Sequence, residues 1–306
     1  MKTRFRQPAE TGPLITLAHG PYTLTIAPGF GARMVNFRHA GRDLLRPTPD
    51  EVIARPIAYG FAGFPLMPYS GPLFGPGFTF DGVTYPLDRT VCEEPSATHG
   101  DSWIAPFHVL EQSGNAVVLE MEHVPSPGTF PFKYRGHLRY ALSDGGLSIL
   151  LRVTSRDHRP FPAGLGIHPY FPKSPGTCLK FQSLGVWPAD APEAVTLGCQ
   201  SLTEGLSFND GPDVSQMVVD RLYEGWDGRA ELIAPDGHRT IIEADGALDK
   251  MQIYSAWDYP YVCIEPVSNA NDGFNRMAAG VAGHGVRILD ANRSIDGTVR
   301  IYAAER

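Results

Sequence analysis

Apolar residues in this chain recur with a period of two, in short runs closed off by glycine and proline. That rhythm restricts the fold more than any other feature. In "YTLTI", Tyr22, Leu24 and Ile26 share one face, with two threonines on the other; in "AVVLEMEHV", Val117, Leu119 and Met121 lie together opposite Glu120 and Glu122. Alternation of this kind marks a strand with one buried face. "HLRYALSDGGLSILLRVTS" is two such runs joined by Ser-Asp-Gly-Gly, a hairpin signal because glycine accepts the positive φ of a tight turn. "AELIAPDGHRTIIEA" and "NFRHAGRDLLR" repeat the device around Pro-Asp-Gly and Ala40-Gly41, and the closing "GTVRIYAAER" reads as one more strand. Stretches with helical period are scarce; "SNANDGFNRMAAG" holds a turn or two at most.

The expected fold class is therefore all-β, a large antiparallel β-sandwich or a closed barrel. No repeat, low-complexity tract or linker divides the chain, so residues 1–306 read as a single domain. Three long segments, 46–106, 155–180 and 255–290, interrupt the alternation and read as irregular loops. Loops of that length in a compact β domain are usually functional.

Bulk properties exclude several function classes. Lys plus Arg total 26 against 33 for Asp plus Glu, a formal charge of −7, and no basic cluster is present, which argues against a nucleic-acid surface. The first residues, "MKTRFRQPAETGP", contain no apolar signal region, and no run of about 18 apolar residues occurs, so neither export nor a membrane span is expected. A cytoplasmic location and free thiols at Cys92, Cys178, Cys199 and Cys263 follow as expectations. The ten histidines form no H-x-H or H-E-x-x-H pattern, so no metal site and no cofactor are expected. A homodimer stays compatible with the sequence.

Four polar positions stand out among aromatic and glycine neighbours: His99 in "ATHGDSW", His168 in "GLGIHPYFP", Asp220 in "VVDRLYEGWDG" and Glu265 in "YVCIEPVSNANDGFN". Rings beside a few polar groups suit a sugar, whose apolar face stacks while its hydroxyls bond carboxylates and imidazoles. Each position alone also has a structural explanation. His168 is equally at home as a core histidine bonded to a carbonyl, His99 and Asp220 as turn residues, and Asp227 as a turn cap before Gly228. Glu265 resists such a reading, because an unpaired carboxylate in an apolar strand is costly.

Taken in order, these segments resemble the aldose 1-epimerase (galactose mutarotase) family. The resemblance runs through "GARMVNFRHAGRDLLRP", "FPLMPYSG", "GFTFDGVTYPL", "THGDSW", "GLGIHPYFP", "DRLYEGWDG" and "YPYVCIEPVSNANDGFN", nearly the whole chain. It implies a galactose mutarotase-like supersandwich with a sugar cleft across one sheet, and interconversion of the α and β anomers of a free monosaccharide. By resemblance, Glu265 is the base, His168 the acid, His99 its assistant, and Asp220 a ligand of sugar hydroxyls. Tyr170, Trp103 and Trp226 are the expected binding aromatics.

The sequence departs from the family where an Asn-Arg pair is common: the aligned positions are Gly71-Pro72. Three consequences are open at this point. Arg33 or Arg221 reaches the site instead, the substrate shifts to a pentose or deoxy sugar needing fewer contacts, or activity is lost. The competing functions are a non-catalytic carbohydrate-binding protein on the same fold, a sugar-phosphate epimerase, and a cupin-like metal enzyme.

Overall fold

The computed structural model describes residues 10–203 and 205–304. Nearly all regular structure in them is antiparallel β, gathered into one 11-stranded and one 8-stranded sheet, with three small two-stranded pairs beside them. The hairpins read from the sequence form as expected. Tyr134–Ser143 and Gly146–Ser155 pair with Ser143 opposite Gly146, and Arg229–Ile233 pairs with Arg239–Gly246. Ala40 and Gly41 both take positive φ, 48° and 82°, in the turn after Arg33–His39. The helical content near "SNANDGFNRMAAG" is one short helix, Gly273–Ala278.

The two large sheets face each other across a shared core. Leu17, Leu24 and Phe37 from the larger sheet pack with Leu119, Leu138, Ile149, Val299 and Ile301 from the smaller, all buried. Alternation explains which side chains meet: Tyr134–Ser143 buries every second residue over most of its length and presents the others to partial or full exposure. A polar tie also crosses the interface. The Tyr140 hydroxyl, buried, donates to the Ala32 carbonyl at 2.8 Å.

The segments read as irregular contain the centre of the larger sheet, which corrects that expectation. Gly63–Leu66, Gly166–Pro172, Tyr261–Val267, Lys250–Ser255 and Val219–Glu224 lie side by side in that order. The first three are buried on both faces, so they lack the polar half of the alternation; Tyr261–Val267 shows only as an apolar strand, and Gly63–Leu66 and Gly166–Pro172 do not announce themselves. Ile167, Phe171, Val262, Ile264, Met251 and Ile253 point into the shared core. The opposite parity, His168, Tyr170, Cys263, Glu265, Gln252 and Tyr254, is thereby turned to the outer face. Among the described residues, no helix is long and apolar enough to cross a membrane.

Replacing Tyr140 by Phe leaves the Ala32 carbonyl without its side-chain donor inside the core. The expected cost is about 1–2 kcal/mol of unfolding free energy, measured by denaturant titration.

Candidate active site

The outer face of the central strands forms the floor of a cavity of ≈ 370 Å³, within the ~300–1,000 Å³ usual for small-molecule sites. Register sets its heart. Gly166 pairs with Val267 and Tyr170 with Cys263, so His168 and Glu265 stand opposite each other on neighbouring strands. The His168 Nε2 lies 3.3 Å from the Glu265 Oε1, and both residues are buried. The His168 ring is held between Phe64, 4.7 Å away, and Tyr170, stacked at 4.7 Å. Two arginines, Arg33 fully buried and Arg46 partly so, brace this column from outside the cavity. Arg46 sits 4.0 Å over Tyr170, and Arg33 4.7 Å over Phe64.

Burial drives the electrostatics. It pushes the Glu265 carboxyl well above the usual carboxylate range, with the Asp220 charge adding to the effect. It also pushes His168 well below the usual imidazole range, aided by His99 and Arg46. Both shifts favour the uncharged partners, a protonated carboxyl beside a neutral imidazole.

His99 is set by its backbone and by one hydrogen bond. It takes a left-handed φ of 61°, unusual for a side chain with a Cβ. The Gly71 N–H donates to His99 Nδ1 at 3.1 Å, while the His99 N–H donates to the Gly71 carbonyl at 2.9 Å. Nδ1 is thus an acceptor, and burial holds the ring's pKa down to about 3, so neutral His99 carries its proton on Nε2. Gly71 is itself at φ +74°, and a Cβ there would lie 2.0 Å from Asn271 Oδ1. The departure Gly71-Pro72 therefore has a local structural task, holding His99 in one tautomer against a tightly apposed loop.

Asp220 faces the cavity and joins a chain of polar groups that runs over two strands and two loops. Gln252 Nε2 donates to Asp220 Oδ1 at 2.7 Å, Asn271 Nδ2 lies 3.3 Å from Gln252 Oε1, and the same Nδ2 donates to Asp190 Oδ2 at 2.8 Å. Asp190 is raised to about 7 by burial first and by the Asp220 charge second. Glu94, which accepts from the Tyr59 hydroxyl at 2.6 Å, supplies a fourth carboxylate to the lining. Among the described residues lining the cavity, none is Lys or Arg.

Several expected residues fall elsewhere. Trp103 is fully buried under the site, donating to the Thr98 carbonyl at 3.2 Å and stacking on Phe64 at 4.9 Å. It buttresses the His99 loop and does not line the cavity. Trp226 packs in the core between the sheets and donates to the Arg229 carbonyl at 3.0 Å. The aromatic lining comes instead from Tyr59, Tyr170, Tyr254, Tyr259 and Tyr261. Neither candidate arginine takes the place of the missing one. Arg33 donates from its two terminal nitrogens to the Ala58 and Trp103 carbonyls beneath the floor, and Arg221 has the opposite strand parity to Asp220 and donates to its carbonyl at 2.7 Å. Asp227 caps its turn as expected, accepting from the Arg229 N–H at 3.2 Å, and the four cysteines are free.

A model of the aldose 1-epimerase family matches residues 13–302. The chain belongs to that family. The uncharacterized protein YphB of Escherichia coli K12 is 28% identical over 280 residues, 87% of this chain and 92% of that protein. A solved E. coli K12 protein provisionally assigned as an aldose 1-epimerase superposes with a TM-score of 0.84 at 25% identity, covering 96% of this chain and 99% of that one. A galactose mutarotase-like protein from Clostridium acetobutylicum shares the fold with a TM-score of 0.82 at 19% identity, over 96% and 95% of the two chains. Family and fold together support a mutarotase-type function.

Asp190, Glu94, Gln252 and Asn271 escaped the sequence reading as individual site residues. Asn271 stands inside the quoted "SNANDGFN", and the tyrosines of "AWDYPYV" were a visible aromatic cluster. Asp190, between prolines in "WPADAPEA", carried no local signal. Its titration makes a prediction. The hydroxyls of a sugar bound there would donate to the ionised carboxylate, so that binding would favour loss of the Asp190 proton. KM for a neutral sugar should therefore rise as pH falls through about 7. The Asp190→Asn variant, assayed over the same range, should lack that step.

Proposed function

We propose that the protein is a mutarotase that interconverts the α and β anomers of an uncharged free aldose. The observation that carries this reading is the buried His168–Glu265 pair at 3.3 Å on the cavity floor. Ring opening of a hemiacetal needs a base on the anomeric hydroxyl and an acid on the ring oxygen at the same time. Glu265 takes the O1 proton, His168 gives a proton to the ring oxygen, and the C1–O5 bond breaks to leave a free carbonyl. Rotation about C1–C2 presents the other carbonyl face. Reclosure then returns the proton from Glu265 to O1 and takes the ring-oxygen proton back to His168.

One proton serves both groups throughout. With the closed sugar bound it belongs on His168, and in the open-chain complex on Glu265. The second arrangement is the uncharged one that burial favours. Sugar hydroxyls donating to Glu265 favour the first. His99, neutral with its proton on Nε2, is a hydrogen-bond donor near the same oxygen. Asp220, Asp190 and Glu94 accept from the remaining hydroxyls, and the tyrosines offer faces to the ring's C–H groups.

The lining also bears on the substrate. Four carboxylates and no lining Lys or Arg among the described residues disfavour an anionic sugar, which counts against the sugar-phosphate reading. The missing family arginine favours pentoses and deoxy sugars, which need fewer contacts. A non-catalytic carbohydrate-binding protein is the second reading, and the tyrosine-lined cavity suits it too. The buried acid–base pair favours catalysis, because a binding protein gains nothing from two desolvated titratable groups.

Polarimetry on anomerically pure sugars separates these readings. We expect acceleration of pentose, deoxy-sugar and neutral hexose mutarotation, with uronates and sugar phosphates at least ~10-fold slower in kcat/KM. Uronates or phosphates turned over as fast as their neutral parents would overturn the substrate class. Tight sugar binding with the spontaneous rate unchanged would leave a binding protein.

A further inference from the structure

Anomer exchange leaves one side chain at the cavity floor without a task. Cys263 projects from the same strand and face as Glu265, and its partner across the ladder is Tyr170, two residues from His168. Ligand atoms of His168, Cys263 and Glu265 all lie within 4.8 Å of one another, and all three residues are buried. A tetrahedral ion with ligands at ~2.0–2.3 Å spaces them roughly 3.3–3.7 Å apart. The His168–Glu265 edge, 3.3 Å, has that length already, and the sulfur needs about 1 Å of side-chain movement to match it.

The donor set is selective. Imidazole, thiolate and one carboxylate suit borderline divalent ions, whereas Mg²⁺ and Ca²⁺ take oxygen ligands. Three protein ligands leave the side facing the cavity open for water, and the acidic walls raise the local concentration of a dication. The neighbouring rings of Phe64 and Tyr170 hold the imidazole in place.

We infer that His168, Cys263 and Glu265 form an inhibitory site for a divalent cation of the Zn²⁺ class. Binding breaks the Cys263 S–H bond and makes a sulfur–metal bond. The thiol proton and the proton shared by Glu265 and His168 pass to solvent, with no change of oxidation state. The ion engages the acid and the base together and stands where the anomeric centre would sit, so it competes with sugar. Metal uptake is independent of the proposed mutarotase activity; the inhibition alone rests on it.

The direct probe is Co²⁺ titrated into the sugar-free protein and followed by absorption. The expected result is one Co²⁺ per chain, with a near-ultraviolet thiolate-to-cobalt band that Zn²⁺ removes. Cys263→Ser should lose the band and weaken Co²⁺ at least ~10–100-fold, the loss that removing even an outer-shell partner brings. A variant with the exposed Cys92 and Cys199 both changed to Ser should keep it, which holds the test open should Cys263→Ser fold poorly. Zn²⁺ should then slow mutarotation, competitively with sugar and reversibly by chelator. No stoichiometric uptake, or a band that survives in Cys263→Ser, would overturn the site. A Cys263-dependent band in a protein without mutarotase activity would uphold the site and overturn the enzymatic reading.

Discussion

A buried imidazole and a buried carboxylate 3.3 Å apart are the arrangement on which the rest of this structure depends. Removing two ionisable groups from water is costly unless they satisfy each other. Here neighbouring strands impose the meeting, since a one-residue slip of either strand would turn its member of the pair into the core between the sheets. The strands are fixed by what lies on their other face, where Ile167, Phe171, Val262 and Ile264 pack into the main core. Chemistry on one side is thus positioned by hydrophobic packing on the other.

The loops around the pair are fastened by the polar residues that give the chain its family likeness. Asn269 bonds the backbone of Ser70 in both directions, the Ser268 hydroxyl accepts from the Leu165 N–H, and Asp272 accepts from the Phe74 N–H. Of this group, Asn271 reaches the cavity lining. The same logic applies to Gly71-Pro72. Gly71 sets the His99 tautomer, and any side chain there would displace Asn271, which holds Asp190. Installing the family's Asn-Arg pair would disturb two cavity-lining groups as well as add one. The cavity lining offers acceptors and aromatic faces and no arginine among the described residues, while Arg33 and Arg46 lie against Phe64 and Tyr170 outside it.

Much of this was legible in the sequence, and the misses have physical causes. Period-2 runs with Gly-rich turns gave the hairpins of the smaller sheet, because one of its faces is polar. The central strand carrying His168 was hidden, because burial on both faces removes the alternation, while that of Glu265 showed only as an apolar run. His99, His168, Asp220, Tyr170 and Glu265 meet around one cavity. Trp103 and Trp226 do not, since a large ring beside a candidate residue can equally support it from behind. Asp190 was invisible, being brought in by a loop far away in sequence and fixed by Asn271. The grouping of His168 with Cys263 was likewise hidden, because two-residue spacing on one strand joins an across-strand partner only once register is known.

The most direct test of the account is exchange between the α and β anomeric proton signals of a free aldose at equilibrium, followed by two-dimensional NMR. With the wild-type protein the exchange rate should rise in proportion to enzyme, and with folded Glu265→Gln it should fall by ~10²–10⁴. Undiminished exchange in Glu265→Gln would contradict the central claim that the buried pair moves the proton between the two sugar oxygens.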